Sequence, residues 1–114
     1  MPYLKIHSNV LTDKPKELLT KASAAVAIAL DKPETYVMVD YAHNINMVFA
    51  GNATPLAYLE LKSIQLPEHN TATLSRTLCD LITDTLHITP ERIYIEFANA
   101  ERHMWGWDKR TFAT

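Results

Sequence analysis

Proline at position 2, directly behind Met1, is the residue of this chain best suited to do chemistry. Removal of Met1 would leave a secondary amine at the chain end that is a base, a nucleophile and a rigid ring at once. An ordinary α-amino group has a pKa near ~8; burial in an apolar pocket disfavours its charged form and brings it toward neutrality, where it can take a proton from carbon. The plainer reading of Pro2 is a proline at the start of a strand, tolerated because no ladder donor is needed there. Other reactive side chains offer less. His7, His43, His69, His87 and His103 show no ligand spacing such as His-x-x-x-His and read as surface or turn residues, so no metal site is expected. The lone Cys79 forms neither an internal disulfide nor a thiolate metal site, and reads as a small buried hydrophobe on the apolar side of a helical stretch.

The elements that must position Pro2 come from an internal repeat. A shift of 57 residues, half of the 114, lays Leu4-Lys5 on Leu61-Lys62 and Pro33-Glu34 on Pro90-Glu91. After each Pro-Glu follows a β-branched and aromatic run, Tyr36-Val37-Met38-Val39 and Ile93-Tyr94-Ile95-Glu96-Phe97, as expected for strands. Between the landmarks lie helical patterns. Leu18, Leu19, Ala22, Ala25, Val26, Ala29 and Leu30 recur at a spacing near 3.6 behind a start signal of Thr12, Asp13 and Pro15. Leu74, Leu78, Leu81, Ile82, Thr85 and Leu86 do the same behind Asn70 and Thr71.

The expected fold class is therefore α+β: a duplicated β-α-β unit over residues 1–114, with halves of about 1–57 and 58–114. Its four strands form one mixed sheet with both helices on one face. Met47-Val48-Phe49-Ala50, after a turn at His43-Asn44, and Trp105-Gly106-Trp107 are expected as short edge strands. Exposed edges and an uncovered sheet face would both be satisfied by a closed oligomer.

Composition narrows the function classes. Eleven basic and thirteen acidic residues, scattered singly, leave no cationic stripe for nucleic acid. No apolar run approaches the ~18 residues of a membrane span. Pro-Tyr-Leu-Lys-Ile-His at the N-terminus lacks the basic and apolar regions of a secretory signal, so cytoplasmic residence is expected, or export without a signal peptide.

In this order and spacing, Met1-Pro2, Lys32-Pro33 with Tyr36, Phe49-Ala50-Gly51-Asn52, Ser63-Ile64, Pro90-Glu91-Arg92-Ile93-Tyr94-Ile95, and Trp105-Gly106-Trp107 before Thr111-Phe112 resemble the macrophage migration inhibitory factor and D-dopachrome tautomerase group of the tautomerase superfamily. The resemblance runs end to end. Both glycines of the chain, Gly51 and Gly106, fall inside these landmarks, which suits tight backbone geometry at the two sites. It implies a homotrimer of β-α-β-β-α-β subunits whose sheets line a central barrel, with active sites at the subunit boundaries and no metal or organic cofactor. It also implies a cofactor-independent keto-enol tautomerase acting on small aromatic α-keto acids such as phenylpyruvate, or on dopachrome derivatives. The alternatives are a cytokine-like interaction protein whose trimer surface binds a receptor, and a trimeric stress or scaffold protein with neither activity.

Residue by residue, the resemblance makes Pro2 the catalytic base and then the acid. Lys32 would hold the substrate carboxylate and depress the amine pKa; otherwise it is a solvated lysine in the last turn of a helix. Ile64 would offer its backbone N–H to the same carboxylate, with Ser63 beside it, unless the pair is simply a strand end. Tyr36, Trp107 and Phe112 would be aromatic walls, or else plain core. Tyr94 would reach in from the adjacent subunit, with Glu96 one strand repeat on and pointing the same way. Four departures stand out. Gln65 replaces the glycine that usually follows Ser-Ile, Glu96 stands where asparagine is common, and Trp105 where a smaller aliphatic residue is common, which narrows the mouth. Pro55-Leu56-Ala57-Tyr58-Leu59 lacks the Cys-x-x-Cys of some relatives, so thiol oxidoreductase chemistry is not open to this chain. Lys62 either adds a second charge near the mouth or points to water.

Overall fold

A computed structural model describes residues 1–113. Strands β1 (Tyr3–Ser8), β2 (Met38–His43), β3 (Ala57–Ile64) and β4 (Ile93–Ala100) form one sheet in the order β2-β1-β3-β4. The outer pairs, β1 with β2 and β3 with β4, are parallel, and the central pair is antiparallel. Parallel neighbours need a crossover, and helices α1 (Pro15–Leu30) and α2 (Thr71–Leu86) supply one each. The mixed sheet with two helices is thus the α+β arrangement expected from the repeat. Leu4 faces Leu61 across the centre of the sheet, pairing two residues that the 57-residue shift superposes. The second helix starts and ends one position earlier than that shift requires.

Alternation along β1 and β3 sends Leu4, Ile6, Leu59 and Leu61 into the core, where they meet Leu18, Ala22 and Val26 of α1 and Leu74, Leu78 and Ile82 of α2. Ser8 is buried among them without strain, because its hydroxyl donates to the Leu56 carbonyl at 2.7 Å and accepts from the Val10 N–H at 3.0 Å. The opposite face is polar and aromatic. There the Tyr3 hydroxyl donates to Asp40 (3.0 Å), Lys5 pairs with Glu60 (3.5 Å) and the Tyr58 hydroxyl donates to Glu96 (3.2 Å).

Several local expectations need correction. Met47–Ala50 is not a strand: Phe49 and Asn52 exchange two backbone hydrogen bonds across Ala50 (φ 53°) and Gly51 (φ 78°), which turns the chain back on itself. Trp105-Gly106-Trp107 is not an edge of the main sheet either. Gly106–Trp107 (β5) pairs with Arg110–Thr111 (β6) as a separate two-stranded hairpin. Asp108 (φ 52°) and Lys109 (φ 63°) make its turn, the double positive φ of a two-residue hairpin loop, here built without glycine. Gly106 has no positive φ, and a Cβ on it would sit 3.6 Å from the Arg110 carbonyl, an ordinary contact; the backbone favours glycine at Gly51 but not at Gly106. The strand expected from Tyr36 starts only at Met38, because Glu34–Tyr36 form a 3-10 turn. Cys79 is half-buried against the core, and burial raises its thiol pKa.

Candidate active site

Helix α1 ends where Asp31 turns left-handed (φ 52°), with its N–H on the Ile28 carbonyl (3.2 Å) and the Lys32 N–H on the Ala27 carbonyl (3.0 Å). Lys32 therefore lies past the helix, not in its last turn. Pro33 opens the 3-10 turn, and the Tyr36 N–H bonds the Pro33 carbonyl at 3.1 Å. The Met38 N–H then reaches the Pro2 carbonyl at 3.0 Å, launching β2 alongside β1. This parallel pairing is what brings the segment around Tyr36 to the chain end.

Pro2 is fully buried, just ahead of β1, and in this chain its nitrogen is an amide joined to Met1. The Met1 amino group beside it donates to the Tyr36 carbonyl at 2.7 Å. Its pKa is pushed below that of an ordinary chain-end amine, chiefly by burial and secondarily by the positive charge of Lys32. A cavity of ≈ 240 Å³ opens here, walled by Met1, Pro2, Tyr36, Trp105, Trp107 and Phe112 among others. Trp107 and Phe112 stack at 5.6 Å, and Tyr36 meets both edge-on, at 5.8 and 6.0 Å. The β5–β6 hairpin and the Phe112 N–H bond to the Trp105 carbonyl (3.2 Å) fix this wall.

Tyr3, Met38, Trp105 and Gly106 are shared with a second, adjoining cavity of ≈ 520 Å³ that also holds Asp40, Lys62 and Met104. Tyr3, Val37 and Met38 also line the Pro2 cavity and are not among the pocket residues expected from sequence. Adjacency to Pro2 and the run after Lys32-Pro33 were the signals available for them. Lys62 is exposed at this second cavity, and Trp105 is half-buried between the two.

Of the other expected site residues, Ser63 and Ile64 are buried at the end of β3, and the Ser63 hydroxyl donates to the Ile64 carbonyl at 2.9 Å. Neither lines the Pro2 cavity; Ile64 borders a separate recess with Gln65 and Asn99. Gln65 takes the left-handed conformation (φ 56°), and the Asn99 side chain accepts the next N–H, from Leu66, at 3.1 Å. The backbone bend that glycine would favour is therefore kept by a glutamine. Tyr94 and Glu96 are exposed on the open sheet face and point the same way. Tyr94 pairs with Tyr58, which lies opposite His7, whereas Pro2 precedes Tyr3 at the other end of β1. A single chain thus gathers Pro2, Tyr36, Trp107 and Phe112, with Lys32 acting on the amine by its charge, but leaves Tyr94 and Glu96 remote. Among the described residues, no three His, Cys, Asp or Glu side chains form a group able to hold a metal ion, and no helix is long and apolar enough to cross a membrane.

The family model described as macrophage migration inhibitory factor matches residues 1–113. Among curated relatives, the macrophage migration inhibitory factor of Meriones unguiculatus is 34% identical, covering 99% of this chain and 100% of its own length. A homolog from Brugia malayi is 37% identical over 98% and 99%. Among solved structures, the homologue from Prochlorococcus marinus superposes with a TM-score of 0.91 at 36% identity, covering 96% of this chain and 98% of its own. That from Trichinella spiralis gives 0.90 at 30% identity, with the same coverage.

Proposed function

Because the chain belongs to the macrophage migration inhibitory factor family, we propose that it is a cofactor-independent keto-enol tautomerase whose base is the Pro2 amine, freed by removal of Met1. The observation that carries the reading is the cavity at the chain end: Pro2 is fully buried in its aromatic-walled lining, and the Met1 amine next to it is desolvated and under the Lys32 charge. A neutral amine at that place takes a proton from the carbon next to the keto group of an α-keto acid such as phenylpyruvate. The resulting enolate oxygen then receives the proton back from the prolinium, so that no proton is gained or lost overall. Lys32 holds the substrate carboxylate; the Ile64 N–H, with Ser63 beside it, is the second donor this reading assigns, although neither lines the cavity within one chain. Tyr36, Trp107 and Phe112 receive the aryl group and keep water from the amine. Tyr94 and Glu96 belong to this reading only as contributions from an adjacent copy in a homotrimer, and their distance from Pro2 within one chain favours that assignment.

Phenylpyruvate tautomerisation by the Met1-processed protein tests the proposal, against Pro2→Gly and against a form with an alanine inserted between Met1 and Pro2. The insertion should abolish turnover, since the proline nitrogen stays an amide. Pro2→Gly should lower kcat/KM by about a hundredfold or more. Rates equal to the unmodified protein would remove the mechanism. The shared name of the relatives favours a second reading, a signalling role for the assembled surface. Receptor binding unchanged in Pro2→Gly would separate that role from the catalytic nitrogen.

A further inference from the structure

Arg92 ends the 3-10 turn Pro90–Arg92 and spends its guanidinium on backbone oxygens. Its Nε donates to Pro55 (3.2 Å), Nη1 to Phe49 (3.0 Å), and Nη2 to Asn52 (3.2 Å) and Thr54 (2.9 Å). Four carbonyls from one short segment meet one planar fork, a geometry that a lysine point charge does not reproduce. Asn9 pins the same segment from β1's end, donating to the Ala53 carbonyl at 2.8 Å and accepting the Leu56 N–H at 2.9 Å. The left-handed pair Ala50-Gly51 closes the turn that carries Phe49. The Arg92 guanidinium carbon lies 5.1 Å from the Phe49 ring centroid, a cation-π distance, and the Phe49 ring lies 4.6 Å from that of Tyr94.

Tyr94 is 65% exposed, and among the described residues its hydroxyl has no hydrogen-bond partner. An exposed aromatic normally loses rotamer freedom when it binds; one already braced has lost it beforehand. We propose that Phe49, held by Arg92, is a positioning residue for Tyr94, fixing its ring for contact with substrate. The proposal rests on the reading that Tyr94 enters a substrate pocket, and it adds the residues that aim it. The Arg92 fork holds the turn, the turn holds Phe49, and Phe49 holds Tyr94.

The test is a double-mutant cycle on the processed protein with phenylpyruvate, read as KM against kcat and, without turnover, as Kd from tryptophan fluorescence quenching. Phe49→Ala and Tyr94→Ala should each raise KM and Kd about tenfold with kcat within about twofold. Phe49→Tyr, which keeps the ring, should restore both. In the Tyr94→Ala background, Phe49→Ala should add nothing, and Arg92→Gln should behave like Phe49→Ala. Should Phe49→Ala fail to fold, Phe49→Leu replaces it in the cycle. Full additivity, or a folded Phe49 variant with unchanged KM and Kd, overturns the proposal. If Tyr94→Ala changes neither while the parent protein turns over, the proposal falls and the Pro2 mechanism stands. If the parent binds phenylpyruvate without turning it over, the mechanism falls and the Kd cycle still decides the proposal. If it neither binds nor turns over phenylpyruvate, both fall.

Discussion

The carbonyl of Tyr36 accepts a hydrogen bond from the Met1 amino group at 2.7 Å, tying the chain end to the 3-10 turn that carries one wall of the cavity. Burial first, and the Lys32 charge second, lower the pKa of that amine. Pro2 lies one residue further in and is fully buried, so on the proposed removal of Met1 its amine should meet the same two influences. A depressed amine is neutral at lower pH. A rate that needs the free base should therefore rise with pH through a midpoint below the ordinary value of about 8. Lys32→Gln removes the smaller influence, so the midpoint should move up without reaching the ordinary value, and KM for a keto acid should rise about tenfold or more. A rising limb above ~9 in the parent protein would mean that the amine is solvated.

Glu96 calls for a separate measurement. Its carboxylate accepts the Tyr58 hydroxyl at 3.2 Å on the open sheet face. Glu96→Gln keeps an acceptor but removes a charge that, where an adjacent copy brings it to the pocket, would repel an anionic substrate and, when ionised, favour the protonated amine. KM for phenylpyruvate should fall by up to about fivefold, most at low ionic strength where the charge is least screened. A KM unchanged in low salt would place Glu96 away from the bound acid.

Alkaline pH should weaken the fold. Burial leads the causes that raise the pKa values of Tyr3, Tyr41 and Tyr58, and the Asp40 carboxylate adds to it for Tyr3 and the Glu60 and Glu96 carboxylates for Tyr58. Tyr41 also donates its hydroxyl to the Val10 carbonyl. Folded values above the unfolded value of about 10 mean that the unfolded chain gives up these protons first. The stability they contribute is intact below pH ~10 and is lost as pH rises through the folded values. Ultraviolet tyrosine titration run beside circular dichroism should show these three ionising late, together with unfolding, and Tyr58→Phe should lessen the alkaline loss. Ionisation of these three at the ordinary value, with the fold intact, would contradict this.

Sequence periodicity was a good guide where many residues vote together. The apolar stripe of Leu18, Ala22, Val26 and Leu30 and that of Leu74, Leu78, Ile82 and Leu86 are the buried faces of the two helices. It was a poor guide where one residue decides. Met47-Val48-Phe49-Ala50 has strand composition, yet the positive φ of Ala50 and Gly51 folds it into a turn. Pro2, Tyr36, Trp107 and Phe112 could be gathered from their resemblance to a known pattern, but Met38 could not. Met38 joins the cavity because β2 runs parallel to β1 in the register Tyr3 to Met38, and register is set by the whole sheet. The bracing by Arg92 was equally hidden, since its four acceptors are backbone oxygens and leave no trace in side-chain composition.

The left-handed residues give the last prediction, because the chain places only one of its two glycines where glycine is needed. Gln65 (φ 56°) holds a conformation that costs an L-residue roughly 1–2 kcal/mol, while glycine there would loosen the unfolded chain by about 0.4–1 kcal/mol. The first effect is larger, so Gln65→Gly should raise stability by up to about 1 kcal/mol. Gly51→Ala meets no atom within 4 Å of the new Cβ, yet φ 78° strains it. It should therefore lose up to about 1 kcal/mol, the same strain of roughly 1–2 kcal/mol being partly offset by the about 0.4–1 kcal/mol that alanine takes from the freedom of the unfolded chain. Gly106→Ala has neither a positive φ nor a close neighbour and should change little. Urea denaturation of the three variants measures all of this, with equal slopes showing that the surface exposed on unfolding is unchanged. If Gly51→Ala proves as harmless as Gly106→Ala, backbone conformation is not what sets glycine usage in this chain.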